Sequence, residues 1–417
     1  MDKAIEIMAP VGSWESLHAA IQAGADSVYF GIEQLNMRSR SSANFTCDDM
    51  RTIVHTCREA GVRTYLTLNT VIYQNDLQQM RQIVDAAREA GLTAIIASDV
   101  AVMQYAASQG VEVHLSTQLN IANVDALRFY ARWADVVVLA RELDLNQVRE
   151  IHQAIIDQDI RGPHGALMQI EMFCHGALCM AVSGKCYLSL HEHNMSANRG
   201  ACMQVCRRAY TVRDKESDIE LDVTNPYIMS PKDLKTIHFI NKMLQAGVNV
   251  FKIEGRARGP EYVAIVVSCY REAVQACLDG TYDEQHIAAW DERLRKVYNR
   301  DFWDGYYLGQ RLGEWTHRYG SQATRRKEFV GRCTNYFQRI GVAEFHVESQ
   351  PISVGEEYLV TGETTGAVMG TVGELRLDLN AVPRVDKGDI FSMKTDRPIR
   401  RGDRLYAMRV VTDDSLV

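Results

Sequence analysis

The stretch Ala4-Ile5-Glu6-Ile7-Met8-Ala9-Pro10-Val11-Gly12-Ser13-Trp14-Glu15-Ser16 decides the fold. Ala4–Met8 reads as a short buried strand and Ala9–Ser13 as the turn that ends it. Ser13 stands where an N-cap belongs, its hydroxyl able to accept one of the backbone N–H groups that a first helical turn leaves over. From Trp14 to Ala23 the apolar residues recur at three- and four-residue spacing, and Gly24 follows as a residue free to adopt the left-handed conformation that stops a helix. The turn is not the G-x-G-x-x-G of an open dinucleotide-binding sheet.

This strand–turn–helix unit repeats along the first 280 residues. Further strands are expected at Ser27–Phe30, Arg63–Leu68, Thr93–Ala97, Glu112–Leu115, Asp135–Leu139, Gln169–Phe173 and Asn249–Ile253, with helices such as Asp76–Ala90, Val124–Trp133 and Asp233–Ala246 between them. The Ala-Gly stop recurs at Ala60-Gly61, Ala90-Gly91 and Ala246-Gly247. Eight strands alternating with helices over about 250 residues is the count of a TIM-like (β/α)8 barrel, whereas a doubly wound sheet usually has fewer strands in this length. Distortion is expected near strand seven. From Phe173 to Tyr227, about fifty residues rich in Cys, Ser, Asn, Gly and Arg show little periodicity, and so long a loop is usually functional. It leaves the C-terminal end of a strand, the rim where such barrels hold their chemistry.

The whole chain, 417 residues, is long enough for two or three domains. We divide it into a barrel over 1–280 with a cysteine-rich insertion at 174–226, a helical and aromatic linker over 281–325, and a small all-β barrel over 326–417. The last shows short alternating runs separated by turn signals such as Lys387-Gly388. A formal charge of −7 excludes a general polyanion binder. No window holds the roughly 18 apolar residues that cross a bilayer, and the start lacks a basic stretch leading into an apolar one, so a cytoplasmic protein without a membrane partner is expected.

Five of the ten cysteines, Cys174, Cys179, Cys186, Cys202 and Cys206, crowd into the aperiodic loop. Disulfides are unlikely products of a reducing compartment, so the crowd reads as a metal or catalytic site. The spacing C-x6-C-x15-C-x3-C over Cys179, Cys186, Cys202 and Cys206 suits an iron–sulfur cluster, and four thiolates make 4Fe-4S the expected type. Zinc fits only the Cys202/Cys206 pair. The residues alone also allow packed cysteines, the more usual role for Cys174.

The motif Glu171-x-Phe173-x-His175-Gly176-Ala177-Leu178-Cys179, followed by Ser183-Gly184-x-Cys186-Tyr187-x-Ser189, closely resembles the signature of the collagenase-like peptidase family U32. So do Tyr29-Phe30-Gly31, Asn44-Phe45-Thr46, Ser116-Thr117-Gln118, Ser196-Ala197-Asn198-Arg199-Gly200 and Lys252-Ile253-Glu254-Gly255-Arg256. The resemblance spans roughly residues 4–310 and implies an oxygen-independent hydroxylase. It is most similar to the branch that forms 5-hydroxyuridine at the tRNA wobble position with prephenate; sister branches act on ribosomal RNA or a quinone precursor. Met195 and Val205 depart from that branch, where Arg and Pro are common. The alternatives are a peptidase using a cysteine nucleophile or a metal, and a non-catalytic subunit of a homo-oligomer or of a pair with a paralogous chain. The peptidase lacks H-E-x-x-H, G-x-S-x-G and any recognised Cys/His setting.

Strand ends supply the remaining candidates. Asn69, Gln118, Arg141, Glu142, Lys252, Glu254 and Arg256 should converge on one rim. Arg141, Glu142, Lys252, Glu254 and His175 are the expected catalytic groups, His175 through a thiolate–imidazole pair with Cys179. Arg199, Arg256, Asn69 and Gln118 are expected to bind the co-substrate, because a dianion needs arginine or lysine forks. For tRNA, the basic stretch Lys394–Arg404 with Arg409, Arg207-Arg208 and Arg325-Arg326-Lys327, beside the aromatics Tyr336, Phe337, Phe345, Tyr358, Phe391 and Tyr406, forms the expected docking surface.

Overall fold

The computed structural model describes residues 5–33, 35–39, 44–211 and 225–412. Ala4 of the expected first strand, positions 212–224 of the insertion and the last five residues lie outside the described residues. In chain order the elements are β1 (Glu6–Pro10), α1 (Trp14–Gln22), β2 (Ser27–Phe30), α2 (Cys47–Glu59), β3 (Arg63–Leu68), α3 (Leu77–Ala90), β4 (Ala94–Ala97) and α4 (Val100–Ser108). Then come β5 (Glu112–Leu115), α5 (Val124–Tyr130), β6 (Val136–Val138), α6 (Leu145–Asp157) and β7 (Gln169–Gly176). After β7 the chain makes its long excursion, with the short helix α7 (Leu188–His193), and returns through β8 (Asp233–Lys235) and α8 (Ile240–Gln245) to β9 (Val248–Ile253), α9 (Pro260–Asp279), α10 (Glu284–Arg295) and β10 (Phe302–Trp303).

Strands β1 to β7 pair in sequence, all parallel, and β9 pairs with both β7 and β1. Eight parallel strands therefore close on themselves, as the alternation of strand and helix required. The caps behave as the sequence indicated. The Ser13 hydroxyl accepts from the Ser16 N–H at 3.2 Å, and Gly91 ends α3 at φ +72°. Val28, Leu66, Ile95, Val137 and Phe251 face the helical layer in the larger core cluster. Met8, Tyr29, Tyr65, Ile96 and Val250 form a separate cluster inside the barrel.

One segment departs from its periodicity. Asp233–Ala246, with helical apolar spacing, begins instead as β8, antiparallel to the end of β7 and parallel to β10. Tertiary partners override the local pattern here. Asp233 accepts from the Arg300 backbone N–H at 3.1 Å and pairs with its guanidinium at 3.3 Å, while Lys235 reaches Asp291 at 2.6 Å. The aromatic stretch after α9 packs on the barrel: Trp290 and Tyr307 are buried, and the Tyr307 hydroxyl donates to the Phe173 carbonyl at 3.0 Å.

Beyond Thr324 the chain is antiparallel β, eight strands in one sheet plus the pair Ile352–Ser353 and Arg384–Val385. Side chains from all of it, among them Val330, Phe345, Val360, Leu375, Val385, Phe391 and Leu405, share a single core. This region rests on α1. Gln22 donates to the Thr365 carbonyl at 2.9 Å, and Gly366, at φ +73°, passes so close that a Cβ there would stand 2.9 Å from the Ala19 nitrogen.

Candidate functional site

Alternation along a parallel strand sends every second side chain into the barrel. The result is a buried charged column crowned by a polar mouth. In the column, Lys252 donates to a Glu171 oxygen at 2.6 Å, the other Glu171 oxygen lies 3.7 Å from His114 Nδ1, and His114 Nε2 lies 3.1 Å from Glu112. Burial opposes charge on His114, but the two carboxylates outweigh it and raise its pKa to about 9. Burial likewise opposes charge on Glu171, and Lys252 and His114 hold it below the usual carboxylate range.

Above this column opens a cavity of about 230 Å³ at the C-terminal ends of the strands. Tyr29, Thr67, Asn69, Ser116, Gln118, Arg141, Phe173, Lys252, Glu254 and Arg256 form its floor and wall, Arg38 enters from the loop after β2, and the excursion from Ala177 to Arg207 covers it. Gly176, at φ +102°, makes that cover possible: a Cβ there would fall 2.4 Å from the Glu254 carbonyl. Arg256, buried, donates to Thr67 at 2.8 Å and Asn36 at 3.2 Å. Arg141 donates to the Ala177 carbonyl at 3.2 Å and lies 3.8 Å above the Phe173 ring. Arg38 pairs with Glu254 at 3.4 Å. Burial works against the Glu254 charge, yet Arg38, Arg141, Arg256 and Lys252 together hold its carboxyl below its ordinary range.

The charged lining among the described residues is lopsided. Arg38, Arg141, Arg207, Lys252, Arg256, Arg258 and Arg300 set seven cations against one carboxylate, Glu254. Such a mouth draws anions.

With this geometry in view the sequence comparisons are specific. The profile of Peptidase family U32 matches residues 12–317. The chain belongs to this family. It is 64% identical over 401 residues to a Porphyromonas gingivalis protein named collagenase, covering 96% of this chain and 97% of that one. It is 35% identical over 339 residues to a Bacillus subtilis tRNA hydroxylation protein, covering 79% and 77%. It is also 28% identical over 417 residues to an Escherichia coli 23S rRNA 5-hydroxycytidine synthase, covering 95% of this chain and 59% of the relative.

In this U32 barrel, Asn69, Gln118, Arg141, Lys252, Glu254, Arg256 and the four cysteines Cys179, Cys186, Cys202 and Cys206 line this cavity. Three expected site residues do not. His175 lies behind the wall, its Nδ1 3.3 Å from the Tyr270 hydroxyl, among Tyr262 and Phe302. The cause is a register shift between Phe173 and His175 against Lys252 and Ile253 of β9: an extra residue re-aims the strand away from the cavity. Burial, then the Lys235 charge, lower the His175 pKa to about 3, so it is neutral and forms no imidazole–thiolate pair with Cys179. Glu142 is exposed on the following turn, outside the lining. Arg199 is engaged elsewhere, paired with Asp76 at 2.6 Å and stacked 4.2 Å from the Tyr73 ring. Cys174 is buried, 3.4 Å from the Lys252 carbonyl, and does not line the cavity.

The sequence reading missed Arg38, which lies in an aperiodic loop, and Arg300, which approaches from the linker; nothing in their spacing marks them. Arg207 was assigned to a docking surface but points into the cavity wall. The docking surface itself loses members. Arg325, Arg326 and Lys327 pair with Glu357, Glu328 and Glu261 at 2.8, 2.7 and 2.8 Å, and Arg409 pairs with Glu328 at 2.8 Å. Phe345, Tyr358 and Phe391 are core residues. Lys394, Arg397, Arg400, Arg401 and Arg404 remain exposed.

The four thiols share one electrostatic neighbourhood. Burial raises Cys206, Arg207 lowers it, and Cys179, Cys202 and Cys186 raise it again; burial raises Cys186 too, with Cys179 and Cys202 adding. Yet among the described residues no three His, Cys, Asp or Glu side chains gather as ligands of one ion. Four thiols around one cavity are the donor set an iron–sulfur cluster takes, one sulfur to each iron. No helix among the described residues is long and apolar enough to cross a membrane.

Proposed function

We propose that this chain is an oxygen-independent RNA hydroxylase that forms 5-hydroxyuridine at the tRNA wobble position, with an iron–sulfur cluster held by Cys179, Cys186, Cys202 and Cys206. The observation that carries this reading is the cavity lining: four thiols and seven cations against one carboxylate, with no histidine. A thiol peptidase needs a base beside its nucleophile, and the histidine nearest Cys179 in sequence, His175, is neutral and faces Tyr270. The relatives named for RNA hydroxylation support an RNA substrate.

When bound, the cluster supplies one-electron chemistry. The chain's own groups do the rest. Arg141 and Arg256 hold an anionic co-substrate, a dianion such as prephenate, by charge-assisted hydrogen bonds. Lys252, supported by Glu171, holds a proton at the cavity floor. Asn69 and Gln118, linked at 3.4 Å, orient polar edges of the substrate. The excursion over the mouth limits water. The exposed cations Arg400, Arg401 and Arg404 give RNA phosphates a landing area.

The test is nucleoside analysis of tRNA and ribosomal RNA from cells with and without the gene. Loss of 5-hydroxyuridine derivatives, restored by the wild-type gene and not by Cys202→Ser, is expected; unchanged nucleosides contradict the reading. The second reading, a peptidase, rests on the name of the 64% identical relative. Gelatin hydrolysis by purified metal-free protein, abolished by Cys179→Ala, would favour it.

A further inference from the structure

The excursion carries its four cysteines on two arms, Cys179 and Cys186 on the chain leaving β7, Cys202 and Cys206 on the chain returning to β8. Arg207 joins them. From the residue after Cys206, its guanidinium donates to the Leu178 carbonyl at 2.6 Å, immediately before Cys179. The other side of the fork donates to the Ser230 hydroxyl at 3.1 Å and to the Pro231 carbonyl at 2.5 Å, on the segment entering β8. One planar head group thus joins the stretches at Leu178 and at Ser230-Pro231 to its own, a task that needs divergent donors in a rigid plane.

The charge of this group is as informative as its bonds. All three partners are neutral, and Arg207 has no ion pair among the described residues. The nearby carboxylate of Asp233 is already held by Arg300. A partly buried cation without a paired anion, next to four thiols, is costly until negative charge arrives. Four cysteine thiolates around a cofactor bring that charge.

We propose that Arg207 is a positioning residue for the cysteine set: it ties the Cys179 arm to the Cys206 arm and supplies the positive charge that the four thiolates meet on cofactor loading. This rests on the iron–sulfur reading above. Arg207→Lys keeps the charge but cannot span both arms, and Arg207→Gln loses both functions.

The experiment uses full-length wild type, Arg207→Lys and Arg207→Gln, each confirmed as folded by circular dichroism and thermal midpoint. Two readouts are taken: iron and acid-labile sulfide per chain after anaerobic reconstitution, and the yield of a Cys179–Cys206 cross-link by a short bis-maleimide on the reduced, unloaded protein. Expected are a several-fold lower iron and sulfide content in Arg207→Gln, an intermediate content in Arg207→Lys, and a parallel fall in cross-link yield. Equal loading in wild type and both variants overturns the inference and leaves the cluster intact. If wild type takes up no iron and sulfide, the cluster reading fails and the cross-link decides: a fall in the variants supports the tie between the arms, and equal yields overturn it. Should Arg207→Gln not fold, the comparison of wild type with Arg207→Lys decides on the same two readouts.

Discussion

Lys252 and Glu171 form an ion pair of 2.6 Å inside the barrel, where Lys252 is 5% and Glu171 0% exposed. Consecutive inward positions then carry the contrast on which the site depends: Glu171 and Phe173 on β7, Lys252 and Glu254 on and just beyond β9. The pair sits below the cavity and orients the lysine toward it.

Removing one partner leaves the other charge buried. Lys252→Met is expected to destabilise the fold by about 3–5 kcal/mol. The double variant Lys252→Met/Glu171→Leu should recover much of that loss, because no carboxylate is then stranded. Urea unfolding of the wild type, both single variants and the double variant measures the coupling; strictly additive losses would contradict it.

His114 gives stability a pH dependence of definite sign. Its folded pKa, about 9, lies above the ordinary value of 6.5. Its contribution is therefore fully present below about pH 6.5 and is lost as pH rises through about 9. Glu171 and Glu254, both depressed, act at the other end: their contributions are present above the ordinary carboxylate range and lost on acidification through their folded values. Thermal midpoints across pH should fall on the alkaline side, and His114→Gln should flatten that limb. An unchanged limb in the variant would assign it to other groups.

Among the described residues Arg141 donates to one backbone carbonyl and lies over the Phe173 ring, so an incoming carboxylate can take its remaining donors. Arg141→Ala is expected to weaken binding of a small organic diacid by about 1.5–3 kcal/mol, roughly 10- to 100-fold in Kd. Calorimetric titration with prephenate reads this directly; equal affinity would remove Arg141 from the binding site.

His175 makes the opposite prediction. Packed against Tyr262, Tyr270 and Phe302, it should matter for folding alone. His175→Asn is expected to cost about 1–3 kcal/mol while leaving iron and sulfide content and the pH profile of activity as in wild type. A shifted profile with intact metal content would return this histidine to the chemistry.

The barrel was legible because local signals agree with it. Ser13 caps α1, glycines such as Gly91 stop the helices, and inward alternation on β3, β7 and β9 brings Asn69, Lys252 and Glu254 to one rim. What was not legible depends on contacts distant in sequence. Whether His175 faces in or out is set by how β7 registers on β9, about eighty residues away, and a period of two cannot contain an inserted residue. Asp233–Lys235 carry apolar spacing compatible with a helix, and partners distant in sequence, the strands β7 and β10 with Arg300 and Asp291, hold them extended. Arg207 was visible as a charge, but its role depends on the Leu178 carbonyl, which no side-chain pattern reports. The basic C-terminal stretch was overread, because a sequence shows Arg409 and not the Glu328 opposite it.

The most direct measurement is iron, zinc and acid-labile sulfide on protein purified without oxygen, taken with its visible spectrum. About four irons and four sulfides per chain with a broad absorption in the blue are expected, lost when Cys179, Cys186, Cys202 or Cys206 is replaced by Ser and kept in Cys57→Ala and Cys333→Ala. One zinc per chain without sulfide, or full iron and sulfide in the Cys202→Ser and Cys206→Ser variants, would contradict a four-cysteine iron–sulfur site at the barrel mouth.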